Sequence, residues 1–372
     1  MKFVFASDSF KGSLTGEKIN EILSRVALKY FPQSECIPLL IADGGEGTLE
    51  AVISQKNGSY VTVEVTSPTG DKIPARYGVF EDSALICMSE ASGLPLVPQE
   101  KRSARYTTTY GTGELIRHAV ASGYKKLYVT LGGSATNDGG TGALAALGYT
   151  FYDKNGCPCK GIGDELIRIA RIDGQNAIDT TGVQVTLLCD VSNPLLGEQG
   201  ATYTYGRQKG ATDEDLAYLE AGMQNWAAVM QAYFGFSANI AGGGAAGGIG
   251  AALYAFLKAE IRSGIRTVLD LCGFDEAVNG ATLVVTGEGR VDWQSANGKV
   301  IDGILQRANG VPVVAIAGSK GVGAEKLYDK GLTAVFAIVN KPMTLDEAIE
   351  NAEALYEKTA EDVFRYLKAF IK

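Results

Sequence analysis

At 372 residues, with 46% hydrophobic and 20% charged side chains, the chain carries more than one hydrophobic core and none of the composition of a disordered segment. Its 34 basic residues against 42 acidic ones leave a net charge of -8, and no lysine or arginine stripe is present to follow a nucleic-acid backbone. A nucleic-acid partner is therefore excluded as an expectation.

The opening apolar run meets Asp8 too early for a signal-peptide core, so a cytoplasmic location is expected. The first strand is expected at 3–6. Ile19, Ile22, Leu23, Val26 and Ala27 then keep one helical face apolar, and a second strand follows at 36–41. From about 59 to 89 the texture changes: Tyr60, Val61, Thr62, Val63, Glu64 and Val65 alternate between prolines and glycines, as half-exposed antiparallel strands do. Further buried runs lie at 126–131, 183–188, 282–286, 311–317 and 334–339. Thr344 and Glu347 form a capping box before a C-terminal helix.

This alternation of strand and helix is the α/β class. Because the runs at both ends of the chain read as buried parallel strands, residues 1–59 and 282–372 are expected to form one doubly wound, Rossmann-like domain. Residues 60–281 would be an inserted α/β domain, with 126–150 able to belong to either. Residues 240–257 carry no charge over 18 positions, but six of them are glycine, so a membrane span is not expected. The six cysteines are scattered as reduced thiols would be, and Cys157 and Cys159 lack the further soft ligands a zinc site needs.

In open α/β sheets ligands collect at the carboxyl ends of strands, and four such ends carry glycines, acids and small hydroxyls. They are Ser7-Asp8-Ser9-Phe10-Lys11-Gly12-Ser13, then Ala42-Asp43-Gly44-Gly45-Glu46-Gly47-Thr48, then 132–140, then Gly287-Glu288-Gly289-Arg290-Val291-Asp292 with Gly298 and Lys299. Glycine lets backbone N–H groups approach an anion, and a helix start beyond the loop adds its positive end. Carboxylates beside a phosphate need a cation, and magnesium held by one or two acids plus phosphate oxygens supplies it. Taken singly, each loop is equally well explained by turn and cap chemistry; the repetition points to phosphoryl transfer. No Walker or protein-kinase glycine loop is present. Gly242, Gly244 and Gly247 match the dinucleotide fingerprint in form, but no convincing strand precedes them, and close packing explains them as well. His118 lies in a helix-like run and reads as structural.

The same residues carry a resemblance to the bacterial glycerate kinases of glycolate and galactarate breakdown. It extends through Cys189-Asp190-Val191, Asn193-Pro194-Leu195, Gln208-Lys209-Gly210-Ala211, 243–250 and Thr286-Gly287-Glu288-Gly289 with Asp292, and so spans nearly the whole chain. Ser7 departs from the family pattern, where proline is usual. The resemblance implies ATP and Mg2+ as cofactors, D-glycerate as substrate, two α/β domains with one inserted in the other, and an active site in the cleft between them. It also implies 2-phosphoglycerate as product, with 3-phosphoglycerate left open.

The candidate catalytic residues are Asp190, Lys11 and Asp8, with Asp190 the expected base because it follows the 183–188 strand at its carboxyl end. Ser9, Asn193, Ser134, Thr136 and Asn137 are candidates for the substrate. Gly44, Gly45, Gly47, Thr48, Gly132, Gly133, Gly287, Gly289 and Lys299 are candidates for the nucleotide and phosphates, and Asp43, Glu46, Glu288 and Asp292 for the metal. A monomer or homodimer without membrane partners is expected. Two other readings stay open: a kinase for a related small hydroxy acid, and a sensor that binds glycerate or nucleotide without turnover.

Overall fold

The computed structural model describes residues 1–371 and divides into two compact units, one of residues 1–43, 50–57 and 265 onward, the other of 44–49 and 58–264. The first unit is built on a five-stranded sheet ordered Leu332–Ala337, Val313–Ala317, Leu283–Gly287, Lys2–Ser7, Glu35–Pro38. Every neighbouring pair is parallel. Such strands are covered on both faces and so read as unbroken apolar runs, as Phe3, Val4, Phe5 and Ala6 do, all fully buried. Helix Gly16–Tyr30 starts on the Thr15 side chain, which accepts from Lys18 N–H, and turns Ile19, Ile22, Leu23 and Val26 inward. Helix Ala352–Phe370 packs beside it, setting Phe364 edge-on to Phe3 with ring centroids 5.3 Å apart.

Two details differ from the sequence reading. Residues 265–281, expected in the insert, pack with the first unit: a Cβ on Gly303 would lie 2.5 Å from Ile265, and Arg307 bonds Asp270 at 2.7 Å and Asp275 at 2.8 Å. The Thr344–Glu347 capping box is present, but the helix it starts, Leu345–Glu350, ends at Asn351 before the long helix begins.

The second unit holds a mixed six-stranded sheet ordered Glu260–Arg262, Gln184–Leu188, Lys126–Thr130, Ser83–Cys87, Lys72–Phe80, Ser59–Thr66. The first four strands run parallel, and the last two are antiparallel additions, of which Ser59–Thr66 exposes alternate residues and Lys72–Phe80 does so only at its start. The 126–150 segment therefore belongs here. Helix Asp213–Phe234, capped by Thr212 and Asp215, buries Trp226, whose indole N–H donates to Gly139 O at 3.0 Å. The uncharged stretch 240–257 becomes the glycine turn Ala245–Gly248 and the buried helix Ile249–Leu257. No helix among the described residues is long and apolar enough to cross a membrane.

Candidate active site

In the first unit, register aligns the loops that carry the acids. Ser7 stands opposite Gly287, Asp8 N–H donates to Gly287 O at 2.9 Å, and a Cβ on Gly289 would lie 3.6 Å from Phe10 Cα. Asp8 and Glu288 thus leave adjacent strands at the same level. Burial pushes the Asp8 carboxyl up to about 7, with the charges of Asp43 and Glu288 adding to it and Ser9 N–H and Lys11 opposing. Glu288, 8% exposed, is raised by burial too, with Asp292 and Asp43 adding and Ser295 and Lys299 opposing; its Oε1 has no partner among the described residues. The Asp43 charge thus raises both Asp8, half-buried, and Glu288, buried, a repulsion that a cation would relieve. Their oxygen chemistry suits Mg2+, which keeps water and phosphate oxygens and asks the protein for only one or two carboxylates. No group of three or more metal-ligating side chains stands ready among the described residues.

Asp292 is otherwise engaged: its Oδ1 accepts from Gln294 N–H at 2.9 Å and Arg290 Nε lies 3.5 Å from its Oδ2, so it closes its own turn. Glu46 is exposed and falls in the other unit, apart from the Asp8, Asp43, Glu288 group by membership. Lys11 is exposed, with its charge acting on Asp8, and Lys299 precedes helix Val300–Arg307, with its charge acting on Glu288. Gly287 serves the fold directly, since a Cβ there would lie 1.9 Å from Ile316 O.

In the second unit the strand ends carry the other half of the candidates. Thr130 pairs with Leu188, and Leu188 in turn with Arg262, so the loops after these three strands emerge together. Asp190 Oδ1 accepts from the Ser263 hydroxyl at 2.9 Å and from Gly264 N–H at 2.8 Å. Gly44 packs into the same place: a Cβ there would lie 2.9 Å from Gly264 Cα and 3.5 Å from Asp190 Oδ2, while one on Gly132 would lie 3.4 Å from Gly45 Cα. Gly44 and Gly47 both have positive φ, which lets the chain turn into helix Thr48–Gln55; Thr48 Oγ1 is buried without a partner.

The 132–140 loop is a pinned structure rather than a mobile flap. Gly132 and Gly133 are exposed, whereas Ser134, Thr136, Asn137 and Asp138 are buried. Asp138 accepts from Thr109 N–H and Oγ1, both at 2.7 Å, and from Gly140 and Gly142 N–H; burial still raises its pKa. Thr107 Oγ1 donates to Ala135 O at 2.9 Å, and Asn137 Nδ2 to Thr202 Oγ1 at 3.2 Å. Thr136 and Asn137, chosen from sequence as substrate contacts, therefore point into the support of the loop, and its outer surface belongs to Gly132 and Gly133. Asn193 is likewise occupied, donating to Gln199 O at 2.7 Å and accepting from Tyr205 OH at 2.7 Å. The glycines at 242–247 do what close packing predicts. A Cβ on Gly244 would lie 2.1 Å from Pro194 O, and one on Gly247 2.0 Å from Thr136 O.

Sequence reasoning missed three supporting side chains. Asp302, buried, accepts from Gly298 N–H at 2.8 Å and from Lys330 at 2.7 Å, and Lys330 also reaches Ala296 O, so this pair shapes the turn before Lys299. Lys209 is buried against the 132–140 loop. Its motif was visible in the sequence; its burial was not.

A model of the glycerate kinase family matches residues 3–368. The chain is 42% identical over 369 residues to a Bacillus cereus glycerate kinase, covering 98% of this chain and 97% of that one. It is 40% identical over 364 residues to the glycerate 2-kinase of Escherichia coli, covering 95% and 94%. The crystal structure of a Salmonella typhimurium LT2 protein assigned as glycerate kinase 2 superposes with a TM-score of 0.89 at 40% identity, covering 99% of this chain and 98% of that one. A likeness that runs end to end in sequence and in fold, and includes the strand-end loops described above, establishes that this chain belongs to the glycerate kinase family of enzymes.

Proposed function

We propose that the protein phosphorylates D-glycerate with ATP by direct, Mg2+-assisted transfer, giving 2-phosphoglycerate. The family supports the substrate, and the Escherichia coli relative's name supports the position. The observation that carries the chemistry is the Asp8, Asp43, Glu288 group. Acids at the ends of parallel strands, with the Asp43 charge raising both Asp8 and Glu288, are unfavourable beside a triphosphate unless a cation joins them.

Asp43 and Glu288 are the proposed metal holders, with Glu46 and Asp292 less favoured for the reasons above. Bound there, Mg2+ supplies positive charge against the phosphate oxygens. The chain's own groups do the rest. The glycine turns at 44–47, exposed at Gly47, and at the exposed 132–133 offer backbone N–H groups to phosphate, and Lys11 and Lys299 add positive charge beside the acids. Asp190 is proposed to take the glycerate hydroxyl proton: Ser263 and Gly264 fix its carboxylate, and it lies outside the acidic group. Burial, with Asp43 and Glu288 adding to it, raises the Asp8 carboxyl to about 7, and a cation neutralising those two acids would remove their share of the rise.

The test is turnover with ATP and D-glycerate in excess chelator, then with Mg2+ or Mn2+ restored. ADP release should cease and return. Turnover unaffected by chelation would remove the metal, and with it the role of the acidic group.

A further inference from the structure

Behind the exposed Gly132–Gly133 turn lies a buried ammonium that the scheme above leaves unused. Lys209, 1% exposed, ends the short turn Arg207–Lys209 and donates from Nζ to Thr136 O at 2.7 Å. Burial pushes its pKa down to about 7, and the nearby Asp138 charge opposes the fall. Enclosing an ammonium costs stability that an aliphatic side chain of the same length would not.

What it holds matters more than what it costs. Thr136 Oγ1 and Asn137 Oδ1 are buried without partners, so at these residues the Thr136 carbonyl and the Asn137 amide nitrogen carry the loop's hydrogen bonds to the 202–209 segment. The same segment reaches the neighbouring strand-end loop: Tyr205 OH donates to Asn193 Oδ1 at 2.7 Å, and Thr204 Oγ1 accepts from Asn193 Nδ2 at 3.4 Å. Residues 202–209 therefore brace two loops at once, one carrying Gly132 and Gly133, the other Asp190 and Asn193.

We propose that Lys209 is a positioning residue for phosphoryl transfer, whose ammonium fixes the Thr136 carbonyl and so keeps the Gly132–Gly133 turn in register with the Asp190 loop. The proposal rests on reading the 132–140 loop as part of the site. It adds a group that touches no substrate and acts through the loop's backbone.

Lys209→Met preserves the length and removes the donors. Loss of alignment acts on the transition state, so kcat per folded molecule should fall about tenfold or more, with KM for ATP held within about twofold and an unchanged far-ultraviolet dichroism spectrum. Thr202→Val cuts the parallel tether from Asn137 and should show the same split, more weakly. If Lys209→Met does not fold, Thr202→Val decides. Wild-type kcat in whichever of these variants fold, with only the unfolding midpoint lowered, overturns the proposal. Gly133→Val, on the exposed turn, separates the two readings. If it abolishes turnover while Lys209→Met and Thr202→Val do not, the loop reading stands and the Lys209 assignment falls. If Gly133→Val leaves turnover intact, the loop reading fails and takes the Lys209 assignment with it.

Discussion

With Ser263 and Gly264 both donating to its Oδ1, Asp190 is held in one orientation. Asparagine at this position keeps the shape and an accepting oxygen and loses the basicity. Asp190→Asn should therefore lower kcat by about a hundredfold or more, with ATP affinity nearly unchanged, in steady-state kinetics. Wild-type kcat with lowered stability would return Asp190 to a turn-forming role. Asp8 makes a different prediction. Its carboxyl is raised from 3.8 to about 7 in the folded protein, so the native state binds a proton that the unfolded chain has released between those values. The stability it contributes is complete below about pH 4 and is lost as pH rises through about 7. In metal-free protein, urea unfolding across pH 4–8 should show that decline, and Asp8→Asn should flatten it. An identical slope in the variant would mean that burial of Asp8 is not its source.

At the scale of elements, the glycine turn Ala245–Gly248 packs closely against the 132–140 loop. Gly247 has φ +70, and its Cβ would fall 2.0 Å from Thr136 O. The left-handed backbone alone costs an alanine about 1–2 kcal/mol. Gly247→Ala should therefore destabilise more than Gly156→Ala, where φ is +80 and nothing lies within 4 Å, and should also lower turnover. Equal unfolding midpoints for the two variants would show that the loop yields freely.

Much of this layer was legible in the sequence. The parallel strands were visible as unbroken apolar runs, the antiparallel pair as alternation, and the candidate loops as glycine with acid at strand ends. What the sequence concealed was burial. Lys209 and Asp138 carry charges that ordinarily mark surface, and only tertiary packing encloses them. Thr136 and Asn137 look like ligand contacts in a one-dimensional motif, yet the loop turns them inward. The boundary at 265 was hidden for the same reason: helix Gly264–Leu271 is amphipathic wherever it packs, and contact with Gly303 decides its side.

At the scale of the whole molecule, a chain of the glycerate kinase family carries an acidic group in one unit and, in the other, a carboxylate fixed by Ser263 and Gly264. A sensor that only bound glycerate would need neither a base nor a group of acids at the strand ends. The most direct measurement is therefore the product itself. Purified protein with ATP, Mg2+ and a panel of three- and four-carbon hydroxy acids should release ADP fastest with D-glycerate, and phosphorus and carbon NMR should place the phosphoryl group on carbon 2. Binding without ADP release, or faster turnover of another hydroxy acid, would contradict the account, and phosphate on carbon 3 would overturn its regiochemistry.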